Sequence, residues 1–138
     1  MANSSAIVGG ERGRCSLYLL SADMNVTTDQ IFTSNMQGAW PNSFVVRRII
    51  ACNASGSLTT AVGGIYTGAG KTGDALVANT QAYSGLTNSA KIAVLTLAAV
   101  ASTDAIIQTV PQIYLSLTTA QGAAMTCDIY IFGDVLAR

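Results

Sequence analysis

The stretch "GGIYTGAGKTGD", residues 63–74, ends in Gly70-Lys71-Thr72, as a phosphate-binding loop of nucleotide hydrolases ends. Such a loop reads G-x-x-x-x-G-K-[ST], and its glycines let successive backbone N–H groups converge on a phosphate. The place of the first glycine is taken here by Ile65, and Gly64 stands one residue too far away. A β-branched residue does not readily adopt the turn that glycine allows. A working loop also follows a buried parallel strand and opens a helix whose N-terminus faces the anion. The motif is a near miss, and its neighbourhood decides its meaning.

Other chemistry is thinly supplied. The chain has no histidine, which removes Ser-His-Asp and Cys-His catalysis and the usual zinc hydrolase sites. Its acids, Glu11, Asp23, Asp29, Asp74, Asp104, Asp128 and Asp134, are dispersed and mostly stand beside turn residues. Aspartate at turns is expected from its local hydrogen bonding to the backbone. A glycosidase-type carboxylate pair is therefore not indicated. Cys15, Cys52 and Cys127 are too far apart for a C-x-x-C pair and too few for a zinc site. They read as small buried thiols on strands, with one disulfide as the alternative. These residues predict neither an enzyme nor a cofactor or metal site.

Composition narrows the classes further. Of 138 residues only 10% are charged, and the formal net charge is zero, against about 25% charged in ordinary domains. A neutral chain without clustered cations argues against nucleic-acid binding. The basic pairs Arg12/Arg14 and Arg47/Arg48 read as solvated or salt-bridged. The longest apolar run, "IAVLTLAAVA", is about half of what a membrane helix requires. "MANSSAIVGG" lacks the features of a secretory signal, so synthesis and folding in a cytoplasm are expected. Low charge with many apolar residues predicts association, as a symmetric oligomer, a larger assembly or both.

Residues 1–13 are small and polar and read as a flexible N-terminal arm before one domain, 14–138. "CSLYLL" (15–20) is a plausible strand, "SADMNVTTDQ" a loop, and "IFTSNM" (31–36) a short strand ended by "QGAWPNS". "FVVRRIIAC" (44–52) is rich in β-branched and aromatic residues, and with "LTTAVGGIYTG" (58–68) it is expected to form a β-hairpin over "NASGS". "GAGKTGD" is then a glycine-rich connection to "ALVANTQAYS". "KIAVLTLAA" (91–99) reads as a strand, with an alanine-rich helix over "LTLAAVASTDAII" as the alternative. "QIYLSLTT" (112–119) places Ile113, Leu115 and Leu117 on one face. "MTCDIYIFG" (125–133) places Met125, Cys127, Ile129 and Ile131 towards the core, and the two runs are expected to pair as a C-terminal hairpin. The sum is an all-β antiparallel β-sandwich, jelly-roll-like, of about seven or eight strands.

The order "RRIIACNASGSLTTAVGGIYTGAGKTGDALVANTQAYSGLTNSAKIAVLTLAA", followed by "IYLSLTTAQGAAMTCDIYIFGDVL", resembles small structural proteins encoded among the head genes of tailed bacteriophages and prophages. Such proteins are commonly described as head decoration, or cement, proteins. The resemblance spans residues 47 to about 136, and its most specific piece is "IYLSLTTAQGAAMTCDIYIFGD". It implies a β-sandwich that assembles as a dimer or trimer on the outer surface of the virion capsid and bridges major capsid protein subunits. On that reading Arg12 and Arg14 in the arm meet acidic capsid surface, with a merely disordered terminus as the alternative, and Trp40 is an interface anchor where it is not a core residue. Lys71, at the tip of the glycine-rich turn, reads as a solvated charge that discourages edge pairing or as a contact to a neighbouring subunit. No nucleic-acid or membrane partner is expected. A tail or baseplate component, or a receptor- or glycan-binding module, would use the same sandwich. A glycan site would need exposed aromatics near acids, for which Tyr66, Tyr83 and Tyr114 are the candidates.

Overall fold

The computed structural model describes residues 15–34, 43–102, 106–107 and 112–136. In chain order the strands are β1 (Cys15–Asp23), β2 (Gln30–Ile31), β3 (Thr33–Ser34), β4 (Ser43–Cys52), β5 (Val62–Gly68), β6 (Thr72–Val77), β7 (Ile92–Val94), β8 (Ile106–Ile107), β9 (Tyr114–Thr119) and β10 (Thr126–Leu136). One helical turn, α1 (Ala99–Ser102), precedes β8 and packs against β6 and β4. The large sheet runs β3-β1-β10-β4-β7, with β8 on the same edge of β4 as β7. The small sheet runs β2-β9-β5-β6, and every pairing in both sheets is antiparallel. This is the expected antiparallel β-sandwich. The arm, the break around "QGAWPNS" and Arg12, Arg14 and Trp40 lie outside the described residues.

Alternation builds the core. Cys127, Ile129 and Ile131 on β10 meet Leu17, Ile49 and Ala51 of its neighbours, while Leu115 and Leu117 on β9 and Ile65 on β5 face them from the small sheet. Tyr83, Leu86, Leu58 and Met24 close the layer between the sheets, all fully buried. The inward faces expected for residues 112–119 and 125–133 are borne out, with Met125 packed at the margin.

The two expected hairpins are not formed. β4 belongs to the large sheet and β5 to the small one, and likewise β10 and β9. Each connection crosses the end of the sandwich. After β4, Asn53 turns the chain with a φ of 54°. Residues 53–61 then bury Ala54, Leu58 and Ala61 across the gap. After β9, Gln121 accepts hydrogen bonds from the Thr60 and Ala61 N–H groups, and its own N–H donates to the Met24 carbonyl. Strand alternation looks the same in a hairpin and in an arch, so the residues that select the arch are those buried in the connection. "LTLAAVASTDAII" divides: β7 stops at Val94, Leu97 bridges to Val77, and among the described residues helix is found at Ala99–Ser102.

A tight hairpin does form between Gly68 and Thr72. β5 and β6 pair through Gly68 and Thr72, and Gly70 and Lys71 both have positive φ, 69° and 64°. Two consecutive left-handed residues are the pattern of mirror-image hairpin turns. Where the chain passes back from the small sheet to the large one, Phe32 alone separates β2 from β3. It is buried, and its N–H donates to the Ile113 carbonyl.

Glycine permits two close backbone approaches. Gly63 and Gly64 face the Leu117 and Val77 backbones of the neighbouring strands. On β10 a register shift follows Phe132, and a Cβ on Gly133 would lie 2.1 Å from the Val45 carbonyl oxygen. Gly133→Ala is expected to destabilise the fold by about 1–3 kcal/mol, since backbone must move to admit the methyl group. Gly85→Ala, where a Cβ meets nothing within 4 Å, is expected to be neutral or slightly stabilising. Urea unfolding of both variants measures the contrast.

Candidate interaction surface

The outward positions of the large sheet form a continuous apolar row. Pairing registers place Tyr18 opposite Tyr130, Tyr130 opposite Ile50, and Ile50 opposite Val94. The row thus crosses β1, β10, β4 and β7 on the face away from the core. On one side of it stand Asp128, Cys52 and Ile92, and on the other Phe132 and Arg48. Ile92 and Val94 are 61% and 57% exposed, and Leu20 beside the row is 53% exposed. Tyr18, Tyr130, Ile50 and Phe132 are half-buried. Cross-strand aromatic and β-branched pairs contribute roughly 0.2–1 kcal/mol each to the sheet. That gain does not require the outer apolar surface left in water.

Asp128 sets the local geometry of this face. Between Leu19 and Ala22 the strand β1 carries two residues opposite the single residue Asp128, which is a β-bulge. Ser21 in the bulge has a φ of 53°, and its N–H donates to Asp128 Oδ1 over 2.8 Å. The other oxygen accepts from Asn53 Nδ2 at 3.0 Å. One carboxylate therefore holds a left-handed residue on each flank of β10.

The loop carrying Lys71 takes a different form from a nucleotide site. Gly70 N–H donates to Asp29 Oδ2 at 2.7 Å, so the anion bound by this turn is a carboxylate of the same chain. Lys71 Nζ donates to Ser116 Oγ at 2.9 Å and to the Thr27 carbonyl at 3.3 Å. Expected as a solvated tip charge, the ammonium instead folds back over the outer face of the small sheet, where Ser116 is buried. Thr72 begins a strand rather than a helix, because β6 pairs along β5, in an irregular register, where a helix would break at Gly73.

Of the three tyrosines considered for glycan contact, Tyr83 is core, with its hydroxyl donating to the Gly63 carbonyl. Tyr66 and Tyr114 are cross-strand neighbours on the outer face of the small sheet, beside Ile31. Elsewhere a depression of about 270 Å³ is lined by Gln81, Thr80, Thr96, Leu97 and three alanines. Its Gln81 is already engaged, accepting from the Thr96 N–H and donating to the Ala82 carbonyl. Among the described residues no group of His, Cys, Asp and Glu could hold a metal, and no helix is long and apolar enough to cross a membrane.

Cys52 and Cys127 are both free. Burial, then the Asp128 charge, pushes both thiols up from their ordinary value near 9, Cys127 to about 12. Burial likewise raises the Tyr83 hydroxyl. The Tyr18–Tyr130–Ile50–Val94 row escaped sequence reading. Alternation in "CSLYLL" and "CDIYIFG" turns both tyrosines outward, but only the strand order makes them neighbours.

Comparison with family models, curated proteins and solved structures finds no match to this chain. The fold itself defines the class: an antiparallel two-sheet β-sandwich with an apolar row on one outer face.

Asp128→Ala removes two hydrogen bonds to a charged acceptor and is expected to cost about 1–3 kcal/mol in urea unfolding, with Asp128→Asn intermediate. The buried thiol supplies a pH prediction. Folded Cys127 keeps its proton to about 12 while the unfolded thiol loses it near 9. Its contribution is therefore complete below pH 9 and is lost as the pH rises through that window, by up to ~1.4 kcal/mol per pH unit. Melting temperature is expected to fall across this range, less steeply in Cys127→Ala.

Proposed function

We propose that this chain is a non-enzymatic structural protein that works by docking preformed surface within a larger assembly, specifically as a decoration protein on the outside of a phage head. The observation that carries the assembly reading is the outward apolar row of the large sheet, half-buried Tyr18, Tyr130 and Ile50 with exposed Val94, flanked by exposed Ile92 and Leu20. Contiguous apolar surface on a soluble fold marks an interaction site. The resemblance over residues 47 to about 136 supplies the more particular partner, the major capsid protein, and the location, the virion surface. A decoration protein acts by mass action, lowering the free energy of the assembled shell because it binds the shell and not its free subunits. That role requires rigid strands and complementary surface, with no turnover.

A tail or baseplate component, or a glycan-binding module, is the second reading. The observation on its side is Tyr114, half-buried beside the exposed Ile31 on the opposite outer face, although its neighbour Tyr66 is buried. Mixing the purified chain with undecorated capsid shells separates the two. Decoration predicts co-sedimentation and a raised shell melting temperature. Absence of binding would sink the decoration reading, and retention on a glycan surface would support the second.

A further inference from the structure

Register places opposite charges symmetrically about the apolar row. Arg48 stands two residues from Ile50 on one side, and Asp128 stands two residues from Tyr130 on the other. Each is therefore ~7 Å from the row along its strand, and β4 and β10 are ~5 Å apart. Consider a twofold axis in the plane of the face, running along the row. It superposes the row on itself and exchanges the two sides, so that Arg48 of one copy comes over Cys52 of the other, one strand spacing from its Asp128, twice. Phe132 is carried over Asp128 in the same operation. Sheets stacked face to face lie ~10 Å apart, a gap that an extended arginine and an aspartate span together.

From this we infer that the outer face of the large sheet binds a second copy of the same chain, in an isologous dimer centred on Tyr130 and Ile50 and oriented by two Arg48–Asp128 pairs. The inference rests on the assembly reading above and names its first partner. Zero formal net charge leaves little long-range repulsion between copies. Asp128 keeps its intrachain donors, since a carboxylate has room for about four. β3 and β7 contribute only two and three residues to the face, which leaves roughly 300 Å² in projection from each copy. That is the size of weak, transient interfaces, so the dimer is expected to be a weak one.

Sedimentation velocity of the full chain across the micromolar range tests this. Wild type is expected to move from monomer to dimer, Tyr130→Glu to raise the dissociation constant at least about tenfold, and Arg48→Glu to do so comparably by turning two attractive pairs repulsive. Arg48 is exposed, so Arg48→Glu is expected to keep the wild-type unfolding midpoint, and this variant carries the test if Tyr130→Glu fails to fold. A monomer at all concentrations, or dimerisation indifferent to Arg48→Glu, overturns the inference. Shell co-sedimentation of the same variants keeps the two readings apart. Shells bound by a monomeric Arg48→Glu chain support decoration together with this dimer face. A monomeric wild type whose shell binding is lost on Arg48→Glu assigns the face to the shell and overturns the dimer.

Discussion

The carboxylate of Asp128 stands near the start of the central strand of the large sheet, accepting from the Ser21 N–H on one neighbouring strand and from Asn53 just past the end of the other. A strand's faces exchange when its register slips by one residue. The bulge at Leu20 and Ser21 adds a residue to β1, and Asp128 holds it there, so that Leu17 and Leu19 turn inward while Tyr18 meets Tyr130 outside. The same oxygens fix where β4 ends and the chain leaves for the other sheet. Core and outer row are thus consequences of one pairing register.

Alternation was readable from the residues alone. "QIYLSLTT" and "MTCDIYIFG" sort correctly into inward and outward positions because a two-residue period needs no partner to define it. Partnership was not readable. Both runs look like hairpin arms, and the decisive information lies in connections whose short apolar residues, Ala54, Leu58 and Ala61, are buried between layers. The bonds of Gln121 to residues 60 and 61 join segments distant in sequence, which no local pattern announces. Asp128 was read as one of several turn aspartates, since nothing near it in sequence shows that Ser21 and Asn53 converge on it.

The Gly70-Lys71-Thr72 turn shows how a familiar string changes meaning with its surroundings. Two left-handed residues do present an N–H to an anion, and the anion is Asp29. Lys71 accepts a conformation that costs a non-glycine residue roughly 1–2 kcal/mol, and its ammonium reaches Ser116 and Thr27. The turn thereby ties the tip of the β5–β6 hairpin to the loop that covers the small sheet.

Phe32 has a mechanical consequence. With a single residue between β2 and β3, the two layers share one taut segment, hydrogen-bonded into β9 on one side and β1 on the other. A tug on either layer is handed to its opposite through covalent backbone, with no slack to absorb it. Layers joined by long loops can slide over one another under load. Here such sliding would first have to unzip a strand, so the sandwich transmits shear as a single plate.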